Sequence, residues 1–170
     1  YANWSQTDFA QLSWTMTVIV WTGDSLRVLV PSVNSYFPYT MLNTVIRDKE
    51  KTQLSGTCYF GLGCAITVTL FPRAVAVMAI VFLVVGDMSA ALFGVSFGGD
   101  LVVVKMGRLG KKSLEGSAAM FSCCVLLGLL LMDEVFMAEY AVVLGALAAT
   151  VVELWEPFGI NDNLTIPFVS

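Results

Sequence analysis

Several long stretches of this sequence contain almost no charged residues, and they constrain its fold more than any other feature. A helix needs about 20 residues to cross the hydrocarbon core of a bilayer, with roughly 17 as a lower limit. Residues 56–72 and 116–132 reach that limit without a charge, and residues 74–99 are interrupted only by Asp87. With 57% hydrophobic and 13% charged residues, the composition is typical of a membrane protein.

We therefore predict an all-α fold, a polytopic transmembrane helix bundle with about five spans. The first span contains Asp24 and Arg27, whose three-residue spacing places them on one helix face, where they can pair and lower the cost of insertion. The whole chain, residues 1–170, forms a single transmembrane domain in this prediction. The spans are placed near residues 9–31, 55–73, 74–98, 116–132 and 137–154.

Positive charge is concentrated in two loops that are separated by two predicted spans, so both loops lie on the same side of the membrane. The positive-inside rule assigns that side to the cytoplasm or, in an organelle, to the equivalent stromal face. The net charge of −4 argues against a nucleic-acid partner. The two loops contain Arg47, Lys49 and Lys51, and then Lys105, Arg108, Lys111 and Lys112.

Histidine is absent from the sequence, which removes His-based acid–base catalysis and most transition-metal sites. The four cysteines lie within apolar stretches, at spacings unlike those of a zinc or disulfide framework. We interpret them as small hydrophobic side chains.

Asp87 lies about a dozen residues into the third predicted span, where an ionisable side chain indicates function by default. Gly86, Ala90, Gly94 and Gly98 recur around it at every fourth residue and form a ridge of small side chains. One interpretation is a helix-packing ridge with a hydrogen-bonded acid. The other is an acid that binds a cation or a reacting hydroxyl.

The loop at residues 105–117 mixes bases, glycines and hydroxyls, but it lacks the glycine spacing of a P-loop. It can be a positive-inside anchor followed by a helix that Ser113 caps. It can also approach phosphate, because the start of that helix offers unpaired N–H groups. Glu153 and Asp162 reach the same membrane face, and carboxylates beside a basic loop suit a magnesium nucleotide.

Three blocks of the sequence, in this order, resemble the membrane-embedded CTP-dependent lipid kinases, the family of dolichol kinase, CTP-dependent diacylglycerol kinase and phytol kinase. They are Gly-Asp-Met-Ser-Ala-Ala-Leu-Phe-Gly-Val-Ser-Phe-Gly at 86–98, Gly-Lys-Lys-Ser-Leu-Glu-Gly-Ser at 110–117 and Asp-Asn-Leu-Thr-Ile-Pro at 162–167. The resemblance extends from about Asp24 onward. The family's usual N-terminal helix with Arg-Lys and histidine is absent, as is its span after the last block, so we expect a fragment of a larger bundle.

The resemblance implies an enzyme that transfers a phosphoryl group from CTP to the hydroxyl of a membrane lipid alcohol, either diacylglycerol or a polyprenol or phytol type. It implies Mg2+ or another divalent cation, and a site facing the cytoplasm or stroma in the endoplasmic reticulum, a plastid or the bacterial inner membrane. Asp87 becomes the catalytic residue, as a metal ligand or as the base that orients the lipid hydroxyl. Because a straight helix would hold it near mid-membrane, we predict a break or a water-filled cleft within residues 86–99.

The remaining site residues follow from the same resemblance. Arg27 is favoured as a pairing residue and Arg47 as an anchor. The expected nucleotide-binding residues are Gly94, Gly98, Lys111, Lys112, Ser113, Gly116 and Ser117; the expected metal ligands are Asp87, Glu115 and Asp162; and the further candidates are Arg27, Arg47, Glu153 and Asn163.

Three other functions are compatible with parts of the sequence. A phosphatidate cytidylyltransferase would make CDP-diacylglycerol and pyrophosphate from CTP and phosphatidate. An ion-coupled transporter would line its path with Asp24 and Asp87, although the basic loop and the lack of an inverted repeat fit this hypothesis less well. The last is a degenerate membrane scaffold without CTP binding.

Overall fold

The computed structural model describes residues 4–30, 32–33, 52–97, 105–106, 112–135, 138–155 and 161–170, and these residues are almost entirely helical. This confirms the all-α class. Strand β1 (Lys105–Met106) pairs antiparallel with β2 (Lys112–Ser113). A π-helical turn, Phe82–Gly86, joins α3 to α4. The helices are α1 (Gln6–Leu29), α2 (Gly56–Leu70), α3 (Arg73–Val81), α4 (Asp87–Phe97), α5 (Leu114–Val135), α6 (Glu139–Trp155) and α7 (Asp162–Val169).

Within the described ranges, two helical stretches are long and apolar enough to cross a bilayer, Arg73–Ser96 and Leu114–Met132. That number is smaller than the five spans that the sequence predicts. Helix α2 is apolar but has 15 residues, which is about 22 Å of helix against a hydrocarbon core of about 30 Å. Helix α6 has 17 residues and an acid near each end, and α1 contains Asp8, Asp24 and Arg27.

The Asp24–Arg27 pair connects α1 to the start of α2, and the predicted pairing is confirmed. Arg27 Nε lies 2.6 Å from Asp24 Oδ1, and Arg27 Nη2 donates to the Gln53 carbonyl at 2.9 Å. The second oxygen of Asp24 accepts the backbone N–H of Ser55 at 2.7 Å, at the N-terminus of α2. Arg27 is only 2% exposed, so the pair is a buried link between two helices.

The small-residue ridge around Asp87 packs α4 against α5. A Cβ atom at Gly86 would lie 2.9 Å from atoms of Met120 and Cys124, and one at Gly116 would lie 2.7 Å from the Ala90 carbonyl oxygen. A side chain at either position would clash with the neighbouring helix, so these glycines allow the two helix backbones to lie in close contact. The structure therefore agrees with the packing interpretation of this ridge.

The core lies between the π turn and helices α5, α6 and α7, with Phe82, Met120, Val142 and Ile166 fully or almost fully buried. Large apolar side chains also cover the outside of the helices. Exposed apolar side chains in such number suit contact with lipid, whereas large apolar patches are rare on soluble monomers. Exposed examples are Met16, Val18 and Ile19 on α1, Leu92 and Val95 on α4, Leu126 and Leu130 on α5, and Leu144 on α6.

Candidate functional site

Lys112 holds together two acids from distant parts of the chain. Its Nζ atom lies 2.7 Å from Glu153 Oε1 and 3.1 Å from Asp162 Oδ2. Lys112 belongs to β2, Glu153 to the last turns of α6, and Asp162 to the first turn of α7. The three residues, called the Lys112 cluster below, thus join two of the sequence blocks that carry the family resemblance.

The Lys112 cluster places one ammonium group between two carboxylates. Burial alone would lower the pKa of Lys112, but the hydrogen bond and charge of Glu153, followed by the charge of Asp162, raise that pKa well above its usual range. Lys112 therefore stays protonated between its two acids. Glu153 is 3% exposed, and its Oε2 atom has no hydrogen-bond partner in the described structure.

The start of α5 lies directly after Lys112 and is capped by its own side chains. The Ser113 hydroxyl oxygen accepts the Gly116 N–H at 3.1 Å, and the Ser117 hydroxyl donates to the Ser113 carbonyl at 3.2 Å. A Cβ atom at Gly94 would lie 3.2 Å from Ser113 Oγ. Gly94 and Gly116 therefore bring α4 against this capped helix start.

Asp87 is half-buried and opens α4 immediately after the π turn. Helix α4 is continuous from Asp87 to Phe97, so the irregular backbone of the described residues ends at Gly86, the first residue of the range 86–99 in which a break or cleft is predicted. Gly98 and Gly99, the other end of that range, lie outside the described residues. Side chains supplement the bonding at both ends of the turn: Ser89 Oγ donates to the Gly86 carbonyl at 2.8 Å, and Cys124 Sγ lies 3.8 Å from the Phe82 carbonyl oxygen. Single π turns occur frequently at functional sites.

In the part of the chain that the structure describes, no group of three or more His, Cys, Asp or Glu residues could hold a metal ion. The expected ligands Asp87, Glu115 and Asp162 therefore do not form such a group. Glu115 does have a buried oxygen, Oε2, without a partner among the described residues. Magnesium is commonly held by one or two carboxylates together with substrate phosphates, so the two acids of the Lys112 cluster fit a metal that arrives with a nucleotide.

Asn163 positions α7 against α2. Its Nδ2 atom donates to the Gly56 carbonyl at 3.4 Å, and its backbone N–H donates to Asn161 Oδ1, which caps α7. A Cβ atom at Gly63 would lie 2.6 Å from the Asn163 carbonyl oxygen. Arg27 belongs to the α1–α2 link described above. The predicted residues Arg47, Gly98 and Lys111 lie outside the described residues.

Sequence reasoning missed an apolar cleft of about 270 Å³ between α2 and α7. Thr165 supplies the polar side chain of its lining, and the same helix carries Asp162 one turn earlier. The apolar residues that follow Asp162 and Asn163 were the available signal, but their partners on α2 depend on tertiary packing. The lining residues are Gly63, Ile66, Leu164, Thr165, Phe168 and Val169.

Comparison with known proteins finds two relatives that share most of this chain. An uncharacterized protein of Rickettsia prowazekii is 29% identical over 140 residues, which are 77% of this chain and 64% of that protein. The chain thus spans less than two thirds of the rickettsial protein. No family model and no solved structure matches. The chain is similar to the CTP-dependent diacylglycerol kinase 1 of Schizosaccharomyces pombe, at 26% identity over 161 residues, or 88% of this chain and 72% of that kinase.

Proposed function

We propose that this chain is part of a membrane enzyme that transfers a phosphoryl group from CTP to the hydroxyl of a lipid alcohol. The observation that carries the proposal is its similarity to a CTP-dependent diacylglycerol kinase over 88% of its length. The meeting of Lys112 and Asp162, from two of the blocks that resemble this family, supports it.

Lys112 and the start of α5 are proposed to receive the CTP phosphates. Phosphoryl transfer depends on positioning and on neutralising negative charge more than on covalent chemistry by the protein. Lys112 supplies a protonated amine, and the first turn of α5, which includes Ser117, supplies N–H groups besides that of Gly116, which Ser113 accepts. The undescribed residues Gly98 and Lys111 belong to the same proposed site, and Gly94 supports it by packing against Ser113.

Glu153 and Asp162 are proposed to hold the divalent cation as a pair, without Asp87 or Glu115, since the described residues contain no group of three acids that could hold a metal. A bound cation would neutralise the phosphate charge. Asp87 is proposed to orient the lipid hydroxyl by accepting its hydrogen bond. Its place directly after a π turn supports this role, because such turns adapt the backbone locally.

The apolar cleft between α2 and α7 is proposed to hold a hydrocarbon chain of the lipid substrate. Its lining is apolar around Ile66 and Phe168, and α7 reaches from this lining to Asp162. A lipid with its hydroxyl near the Lys112 cluster and its chain in the cleft would bury each end in a matching environment. We further propose that α1, α2 and α6 lie in the bilayer with the two apolar stretches, since large apolar side chains are exposed along α1 and α6 and the sequence of α2 is apolar.

The test is an assay of the full-length protein in detergent with CTP labelled in its γ-phosphate and a panel of diacylglycerol, dolichol, phytol and farnesol. A labelled lipid phosphate together with CDP is expected, and Asp87→Asn should abolish it. Asp8→Asn is the matched control, because Asp8 is an exposed acid whose side chain accepts the Ser5 N–H at the start of α1. Pyrophosphate with a CDP-lipid would indicate a cytidylyltransferase, and solute flux independent of CTP would indicate a transporter.

A further inference from the structure

In the Lys112 cluster, two carboxylates surround the Lys112 ammonium group as they would surround a bound metal cation. Two carboxylates from different helices converge on one ammonium group, at 2.7 Å for Glu153 and 3.1 Å for Asp162. Glu153 is only 3% exposed to solvent. A buried carboxylate needs a compensating charge, and removal from water is costly without one.

The three side chains of the Lys112 cluster do not balance one another in charge. One ammonium group and two carboxylates leave a net charge of −1, and Oε2 of Glu153 has no hydrogen-bond partner within the described structure. A divalent cation would neutralise both acids and offer a ligand position to that oxygen. Magnesium is well suited, because it accepts one or two carboxylates and completes its octahedron with water and phosphate oxygens.

We infer that Glu153 and Asp162 form a divalent-cation site that Lys112 occupies in the nucleotide-free protein, and that a bound divalent cation displaces the Lys112 ammonium. The inference rests on the proposed function in one respect: after displacement, the Lys112 ammonium binds the nucleotide phosphate. Cation and lysine then exchange partners: the carboxylates take the metal and the lysine takes the phosphate. Lys112 and the metal compete for the same two acids.

Competition can be measured without nucleotide, lipid or catalysis. Mn2+ binding to the full-length protein in detergent is followed by electron paramagnetic resonance of the free ion. Lys112→Met keeps the length of the side chain and removes its charge, so it should bind Mn2+ at least about tenfold more tightly than the unaltered protein, a gain of about 1.4 kcal/mol. Lys112→Arg keeps the competing cation and should show no such gain.

If Lys112→Met has low stability by itself, the change in its melting temperature on adding Mn2+ provides a second test. A ligand that binds only the folded state raises the melting temperature, by several degrees when it greatly exceeds its Kd. Saturating Mn2+ should therefore stabilise Lys112→Met, and it should not stabilise the double variant Lys112→Met/Glu153→Gln. If Mn2+ neither binds Lys112→Met more tightly nor raises its melting temperature, the inference is overturned.

The result is separable from the proposed enzymatic activity. A gain of Mn2+ affinity in Lys112→Met, in a protein that phosphorylates no lipid on the panel, supports the cation site and contradicts the kinase. CTP-dependent phosphorylation by a protein whose Lys112→Met variant gains no Mn2+ affinity supports the kinase and overturns the exchange of Lys112 for a metal.

Discussion

The ammonium nitrogen of Lys112 lies 2.7 Å from Glu153 Oε1, although 41 residues separate the two in sequence. Glu153 has a side chain that is 4% exposed, and that of Lys112 is 18% exposed. The contact joins the loop before α5 to the end of α6, next to the start of α7. The pair therefore couples the stability of this region to the arrangement of the proposed site.

Removing the charge of Lys112 should destabilise the protein more than removing both charges. Lys112→Met leaves Glu153 buried without its compensating cation, and we expect a loss of about 3 kcal/mol, the lower end for a buried pair because Lys112 retains some solvent contact. Lys112→Met/Glu153→Gln should lose less, since the most buried charge is then removed and the remaining acid, Asp162, retains contact with solvent. Denaturation of both variants in the same detergent, without divalent cations, measures the difference. A double variant less stable than Lys112→Met would contradict a coupled pair.

The contribution of Lys112 to stability should be insensitive to pH until strongly alkaline conditions. The pKa of Lys112 is raised by Glu153 and Asp162, so the folded state binds this proton more tightly than the unfolded chain does. Its stabilising effect is then fully present below the ordinary lysine pKa of about 10.4, and it is lost as the pH rises through the higher folded value.

The direction of this pH dependence can be checked by measuring the melting temperatures of the unaltered protein and of Lys112→Met at a series of pH values. The gap between the two should be constant from about pH 7 to about pH 9 and should narrow only above about pH 11. Lys112→Arg, which keeps its charge over the whole range, is the control. A gap that already closes between neutral pH and about pH 9 would show that Lys112 is not held by its acids in this way.

Gly116 should tolerate no side chain, because α4 and α5 touch at this position. A Cβ atom there would lie 2.7 Å from the Ala90 carbonyl oxygen, which belongs to the helix backbone and cannot rotate away. We expect Gly116→Ala to cost about 1–3 kcal/mol through forced separation of the two helices. Unfolding monitored by circular dichroism in detergent measures this cost.

Gly23→Ala is the matched control for Gly116→Ala. Gly23 also lies within a helix, α1, but a Cβ atom at this position would have no neighbour within 4 Å. Alanine is a better helix former than glycine by up to about 1 kcal/mol, so this variant should be as stable as the unaltered protein or slightly more so. Equal losses from both alanines would rule out helix contact as the cause at Gly116.

Local spacing in the sequence was enough to predict some of these features. Helices lie within three residues of the ranges predicted for the five spans, because apolar stretches end at clusters of charge or at proline. The Asp24–Arg27 pair was predictable because both residues lie on one turn of α1. The repeat of Gly86, Ala90 and Gly94 likewise indicated a close-packed face.

Features that depend on contacts between helices were not predictable in the same way. The sequence placed Glu153 among secondary candidates, whereas the structure makes it the most buried acid of the Lys112 cluster. Its partner is 41 residues away, and no periodicity encodes such a distance. The π turn before Asp87 was equally hidden, since the composition of Phe82–Gly86 is that of an ordinary apolar helix. The α2–α7 cleft depends on Gly63, whose close approach to Asn163 exists only in the packed structure.

Filling the cleft between α2 and α7 should weaken binding of a long-chain lipid alcohol and leave CTP binding unchanged. Ile66 lines the cleft from α2, so Ile66→Trp places a large ring where the proposed hydrocarbon chain lies. We expect the KM for diacylglycerol or dolichol to rise at least about tenfold, or 1.4 kcal/mol of lost binding. Leu70→Trp is the control, because Leu70 lies one turn further along α2, is 65% exposed and is not part of the lining. Initial rates measured at varied lipid and at varied CTP give the two KM values separately. An equal rise in KM for both substrates, or an equal rise caused by Leu70→Trp, would contradict the placement of the lipid chain in this cleft.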